Sequence, residues 1–254
     1  MSIATSKEDG ILIIEFDRVE RKNAITVAMY QAMSDAIAAG ERDPEVRVLL
    51  IRGKSDIFTA GNDLEDFLRM SSPGLDSPVF AFMRALSQAT KPVVAAVAGS
   101  AVGIGTTMLL HCDLVYAAEH AQFSMPFAQL GVCPEFASSL ILPQMAGYHR
   151  AAEMLLLGEI FTAEQACQIG LVNKVLPADE LMPFVRAKMQ ALVALPASSM
   201  RVTKQLMKRA QAPAVADVIV DEGKQFIAML ASPEAREAFT AFFEKRAPDF
   251  SKFH

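Results

Sequence analysis

The sequence predicts an α/β fold that gives way to a helical C-terminal region. Strand and helix signals alternate over the first two thirds of the chain, and from Tyr148 onward only helical patterns remain. The run VVAAVAG from Val93 to Gly99 is almost continuously apolar, which suits a strand covered on both faces. With 254 residues, 52% of them hydrophobic and 21% charged, the chain can bury one large core, or one core plus a helical appendage.

In chain order, ILIIEFD (Ile11 to Asp17) reads as a strand, followed by a charged loop from Arg18 to Asn23. Thr26 then caps a helix from Val27 to about Gly40. Val46 to Gly53 is the next strand. After the loop Lys54 to Gly61, a short helix is expected near Asp63 to Met70, and the turn-rich SSPGLDSP (Ser71 to Pro78) reads as a surface excursion. Lys91-Pro92 introduces the apolar strand, the loop Gly99 to Gly105 feeds a helix through Met108 to His111, and Asp113 to Ala117 returns as a strand. Later come a capping box at Thr162 to Gln165 and helices near Leu181 to Leu195, Ser198 to Ala210, Val215 to Leu230 and Pro233 to Lys245. No internal repeat is visible.

Several function classes fall away on composition. No apolar run approaches the ~20 residues that span a bilayer, and Met1 to Gly10 lacks the basic and apolar regions of a secretory signal, so a cytoplasmic location is expected. Cys112, Cys133 and Cys167 are odd in number and form no C-x-x-C pair, which argues against a disulfide framework or a zinc site; no metal is expected. A net charge of −5 argues against general nucleic-acid binding but leaves room for a local basic patch.

Glu135 is the one formally charged side chain between Glu119 and Arg150. A carboxylate held among Phe, Leu, Val and Met with no cation nearby is disfavoured in its ionised form, so its pKa rises toward the range useful for proton transfer. The alternative is that Glu135 opens a helix after Pro134 and complements its dipole at a solvated end. Two further segments, Phe58 to Leu64 and Gly99 to Gly105, lie where a strand hands over to a helix and offer free main-chain N–H groups. Aimed at one carbonyl oxygen they form an oxyanion hole, in which losing one donor costs about 100- to 1000-fold in rate. Glycines that merely permit tight turns are the competing reading.

In this order, RKNAIT (21–26), FTAGNDL (58–64), KPVVAAVAGSAVGIG (91–105), CDLVYAAEHAQFSMP (112–126), LGVCPE (130–135) and FTAEQACQIGLVNKV (161–175) resemble the crotonase, or enoyl-CoA hydratase/isomerase, superfamily over nearly the whole chain. The resemblance implies a spiral core of ββα units over residues 1–195. It also implies a helical region over 196–254 that assembles a homotrimer or a dimer of trimers. An acyl-CoA thioester is the implied substrate, with coenzyme A part of that substrate and no separate cofactor. By the motif match, the oxyanion donors are the N–H groups of Asn62 and Ile104.

Hydratases of this family use two glutamates. Here the first falls on Thr107 and the second on Phe127. Pro134-Glu135 instead resembles the peroxisomal-type Δ3,Δ2-enoyl-CoA isomerases, whose single catalytic glutamate falls at this position. The implied reaction shifts the double bond of a 3-enoyl-CoA into conjugation, with Glu135 as acid and base. Ala24, Ala60, Gly61, Asp63, Leu64 and Phe127 are the implied substrate-binding positions, with Phe127, Leu130 and Phe136 along the acyl chain and Asp63 capping the helix after the oxyanion loop. Arg21, Lys22, Lys245 and Arg246 are the candidates for the CoA phosphates. The terminal SKFH is not a serine-lysine-leucine signal, so peroxisomal import is not expected. A hydratase-like enzyme acting on another acyl-CoA and a non-catalytic acyl-CoA-binding homologue are the rival readings. G-x-G at Gly103 lacks the third glycine of a dinucleotide loop, Met108 standing there, and no G-x-S-x-G elbow supports a serine hydrolase.

Overall fold

The structure, a computed structural model, describes residues 2–54, 56–69 and 74–253. Its strands are β1 (Ile3–Glu8), β2 (Ile11–Phe16), β3 (Val48–Gly53), β4 (Val93–Val97), β5 (Ser100–Val102), β6 (Leu114–Ala118), β7 (Gln122–Ser124), β8 (Phe161–Thr162) and β9 (Lys174–Leu176). The helices before the C-terminal region are α1 (Val27–Arg42), α2 (Leu64–Arg69), α3 (Pro78–Ser87), α4 (Ile104–Thr107), α5 (Ser138–Ala146), α6 (Tyr148–Ala152) and α7 (Ala163–Gln168). Then follow α8 (Ala178–Val193), α9 (Ala197–Lys208), α10 (Ala212–Leu230) and α11 (Pro233–Glu244).

Six strands form the main sheet in the order β1-β2-β3-β4-β6-β9, while β5, β7 and β8 form a smaller one. β1 and β2 are an antiparallel hairpin closed by Asp9 and Gly10, both at positive φ, as a two-residue Asp-Gly turn requires. From β2 to β9 the main sheet is parallel. Its two faces explain the continuous apolar runs. Ile14, Leu49, Ile51, Val93 and Ala95 face one hydrophobic cluster with Met33 of α1 and Leu86 of α3. Ile13, Val48, Leu50, Val94 and Ala96 alternate with them and pack against Leu181, Val185 and Met189 of α8. β4 and β6 each hand directly to a strand of the small sheet, as a spiral of ββα units requires. No helix among the described residues is long and apolar enough to cross a membrane.

Thr26 and Thr162 cap their helices as expected, each accepting a hydrogen bond from the N–H three residues on. Four readings of the sequence need revision, the first being that β8 and β9 lie beyond Tyr148, where only helices were expected, because strands of two and three residues are too short to show a period. β1 was not anticipated, because five of its six residues are exposed on an edge. α3 begins at Pro78, directly behind the turn-rich stretch, of which residues 71–73 lie outside the described part. Met108–His111 is a 3₁₀ turn continuing the short α4 rather than a full helix.

Candidate active site

Two loops that follow strands of the main sheet are stitched edge to edge. The N–H of Thr59 donates to Ser100 O at 2.9 Å, and the N–H of Val102 donates to Thr59 O at 3.1 Å. The glycines permit this closeness: a Cβ on Gly61 would stand 2.7 Å from Val102 O, and one on Gly105 would stand 2.5 Å from Thr59 Cγ2. Asn62 and Ile104 follow these contacts, one on each loop. Neither main-chain N–H makes a hydrogen bond among the described residues. For Ile104 the reason is its place in the first turn of α4, where no intrahelical acceptor exists.

Asn23 holds the loops from a third side. It is fully buried, its side-chain amide donates to Ile57 O at 2.9 Å and Phe58 O at 3.2 Å, and its main-chain carbonyl accepts from Thr59 Oγ1 at 2.6 Å. Tyr30 of α1 donates its hydroxyl to Asn62 Oδ1. Asp63 accepts from the N–H of Asp66 at 3.1 Å, the geometry of an N-cap for α2, and its other oxygen is held by Arg18 at 2.6 Å. Asp63 thus caps α2 at the end of the 58–62 loop, while Asn23 and Tyr30 were not singled out from the sequence. Asn23 adopts a φ of 54°, a conformation that asparagine tolerates better than most residues.

Glu135 is 5% exposed, and its Oε1 is buried with no hydrogen-bond partner. α5 starts at Ser138, so Glu135 precedes the helix and does not sit at a solvated N-terminus. It lines a cavity whose other walls come from α3 (Val79, Phe80, Met83) and α10 (Ile219, Phe226, Ile227). Among the described residues, no other one lining it is ionisable. Burial, with the Glu222 carboxylate as a second cause, pushes the Glu135 carboxyl from its ordinary 4.5 up to about 8.

The turn after Glu135 is strained. Phe136 and Ala137 both have positive φ, 61° and 56°, a region that costs non-glycine residues about 1–3 kcal/mol each. Ser138 Oγ donates to Glu135 O at 2.7 Å, and His111 Nε2 donates to Phe136 O at 2.8 Å. A carbonyl can only accept, so Nε2 carries the proton, and because burial pushes the His111 pKa down to about 3 the ring is the neutral Nε2–H tautomer; it stacks on Phe136 with centroids 3.9 Å apart. Glu222, on α10, accepts from the N–H groups of Ala137 and Ser139.

Other expected positions are less central. Phe136 lines the cavity, whereas Phe127 and Leu130 do not; Phe127 is 4% exposed within the hydrophobic core. Thr107 is fully buried, with its hydroxyl oxygen lacking a partner. Among the cations, Arg21 and Lys22 are exposed, and Arg21 reaches Glu65 only at 3.9 Å. Arg246 is bound by Glu237 at 2.6 Å and by Glu244 at 2.6 Å, so it is already neutralised within its own chain. Lys245, at positive φ, ends α11. The carbonyl of Ala24 accepts from Arg18 at 3.0 Å, and the N–H of Ala60 donates to Lys22 O at 3.0 Å, which fixes the basic loop against the oxyanion loop. Leu64 packs against the main core.

A main sheet handing strands to a small one, two adjoining amide loops and a buried carboxyl define a protein of the crotonase fold. The chain belongs to the enoyl-CoA hydratase/isomerase family, whose sequence profile matches residues 6–252. Enoyl-CoA delta isomerase 2 of Rattus norvegicus is 35% identical over 251 residues, 96% of this chain and 64% of that protein. The chain spans the same 64% of the human protein of that name. A probable enoyl-CoA hydratase of Mycobacterium bovis, echA8, is 30% identical over 98% of both chains. Among solved structures, Pseudomonas aeruginosa OdaA is 46% identical with a TM-score of 0.92, covering 95% of this chain and 98% of its own. An enoyl-CoA hydratase/isomerase from Pseudoalteromonas atlantica T6c is 38% identical with a TM-score of 0.94, covering 98% and 100%.

Proposed function

We propose that the protein is a Δ3,Δ2-enoyl-CoA isomerase, working on an acyl-CoA thioester with Glu135 as its single acid/base. The observation that carries this reading is one unpartnered carboxyl in an otherwise non-ionisable cavity. Glu135 takes a proton from C2 of a 3-enoyl-CoA, and the electrons of that C–H bond delocalise onto the thioester oxygen as a dienolate. The N–H groups of Asn62 and Ile104, which no protein acceptor occupies, supply the hydrogen bonds that growing negative charge needs. Electrons then return from the oxygen, C2 and C3 become doubly bonded, and the acid formed on Glu135 protonates C4. Nothing is consumed, so one group suffices.

Hydration would also need a group to activate water. The positions that carry the hydratase glutamates in the resemblance hold a buried threonine and a core phenylalanine, neither a base. The cavity walls of Phe80, Met83 and Phe226 keep the base dry, which strengthens each hydrogen bond to the dienolate. The exposed Arg21 and Lys22 would meet the CoA phosphates in a homotrimer, or dimer of trimers, located in the cytoplasm.

The test is to follow conjugated-thioester absorbance with 3-hexenoyl-CoA beside a hydration assay on a 2-enoyl-CoA. Isomerisation without hydration is expected, with a rate that climbs through pH 8 as Glu135 ionises, and Glu135→Gln should bind substrate without turning it over. Rapid hydration, or full isomerase activity in that variant, would overturn the assignment.

A further inference from the structure

We propose that Glu222 is the positioning residue for Glu135: reaching over from α10, it clamps the turn that presents the base and places a second negative charge behind it. The inference rests on the isomerase reading for its kinetic consequences, but its geometry stands apart from it.

α5 begins without a cap of its own. Its N-cap residue, Ala137, has no side chain to accept the first N–H groups, which would be left unsatisfied in a buried place. Both are taken by one carboxylate from another helix: Oε2 of Glu222 accepts from Ala137 at 2.5 Å and Oε1 from Ser139 at 2.9 Å. Glu222 is itself 8% exposed, and the backbone either side of it is committed, with Cys133 Sγ donating to its carbonyl at 3.6 Å and Gly223 facing Phe80. Ser138 and His111 grip the carbonyls of the same turn, so both polarities of this strained backbone are held. Of the three, Glu222 brings the carboxyl; burial raises its pKa above the ordinary value, while the hydrogen bonds from Ser139 and Ala137 pull it back down.

A carboxylate is the group suited to this place, because two N–H donors need two acceptor oxygens and an amide offers one. Its charge has a second effect. Facing Glu135 are Glu222 from α10, Tyr30 from α1, and His111 behind Phe136; Tyr30 and His111 are held neutral by burial. Cys133, on the same loop as Glu135, is a thiol pushed up to about 11. Lys208 lies beyond His111, with its Nζ 3.4 Å from that residue's carbonyl. Among the described residues, the cavity lining contributes no cation. Glu222 is therefore the charge that most opposes ionisation of Glu135, and the same residue fixes where its carboxyl points.

The experiment is a carboxyl-carbon NMR titration of protein labelled with 13C at glutamate Cδ, the Glu135 signal being identified by its loss in Glu135→Gln. It is run on the wild type, Glu222→Gln and Glu222→Asp, beside kcat against pH on 3-hexenoyl-CoA. In Glu222→Gln the Glu135 midpoint should move to lower pH, the acid limb of kcat should move with it, and kcat should fall about tenfold or more, as a misplaced base costs. Glu222→Asp keeps the charge and shortens the reach, so kcat should fall while the midpoint stays near the wild-type value. An unmoved midpoint in folded Glu222→Gln overturns the charge role, and an unmoved kcat overturns the clamp. Should that variant not fold, the wild type decides: a Glu222 signal still protonated while Glu135 titrates overturns the proposal. Wild-type protein that shows these titrations without isomerising 3-hexenoyl-CoA would sink the reaction assignment and leave the coupling of the two carboxyls standing.

Discussion

Burial of Glu135 has a thermodynamic cost that a substitution should recover. The carboxyl binds its proton at 4.5 when solvated and at about 8 in the folded chain. Protonation is thus favoured by folding. This contribution is fully present below pH 4.5, is lost progressively as pH rises, and is gone once the pH passes 8. At about 1.4 kcal/mol per pKa unit, the interval of about 3.5 units corresponds to about 5 kcal/mol, of which about 3 kcal/mol is already lost at pH 7. Glu135→Gln presents nearly the shape of the protonated acid and cannot ionise. Urea unfolding at pH 5 should therefore find the two proteins close together. At pH 9 the variant should be the more stable by several kcal/mol, because the wild type must carry a desolvated charge. Equal stabilities at pH 9, or a variant that weakens with pH as the wild type does, would refute the reasoning, since either means that Glu135 ionises as easily in the fold as in water.

The oxyanion loops invite two further tests. Gly105→Ala puts a Cβ about 2.5 Å from Thr59 Cγ2, so the first turn of α4 must move away from the 59–62 loop; a loss of about 1–3 kcal/mol in urea unfolding and a lower kcat at similar KM are expected. Tyr30→Phe removes the donor from the half-buried Asn62 Oδ1, which should cost about 1 kcal/mol of stability and, on the proposed reading in which the adjoining N–H donates to the dienolate oxygen, lower kcat more than it raises KM.

What the sequence revealed follows from how local each signal is. Glu135 is conspicuous because a charge is missing for more than a dozen residues on either side, and burial is written into those neighbours. The amide loops announce themselves through glycines at strand ends, and the structure brings them together as Thr59 bridges to Ala101. Glu222 has no such mark. It lies in VDEGK, which reads as the solvated face of a helix, and its partners lie 85 residues earlier. Asn23 was hidden for a related reason: its work is to accept and donate across a gap of more than thirty residues, which no periodicity records. Phe127 illustrates the opposite ambiguity. Its position invited a role at the acyl chain, yet a large apolar side chain is satisfied equally well by the core, where it is found.

On the proposed reading Glu135 and the amide loops must keep a fixed separation, and a row of packed rings runs between them. Tyr30, bonded to Asn62, meets Phe82 with ring centroids 5.6 Å apart; Phe82 meets Phe136 edge-on at 6.1 Å; Phe136 stacks on His111 at 3.9 Å. Phe82 is fully buried, so this row of rings has no room to shift without opening a void. The row begins at the loop that carries one proposed donor and ends on the strained turn that carries the base. Close packing thereby couples the position of the 59–62 loop to that of the strained turn at Phe136–Ala137, so a substitution that moves one is transmitted to the other.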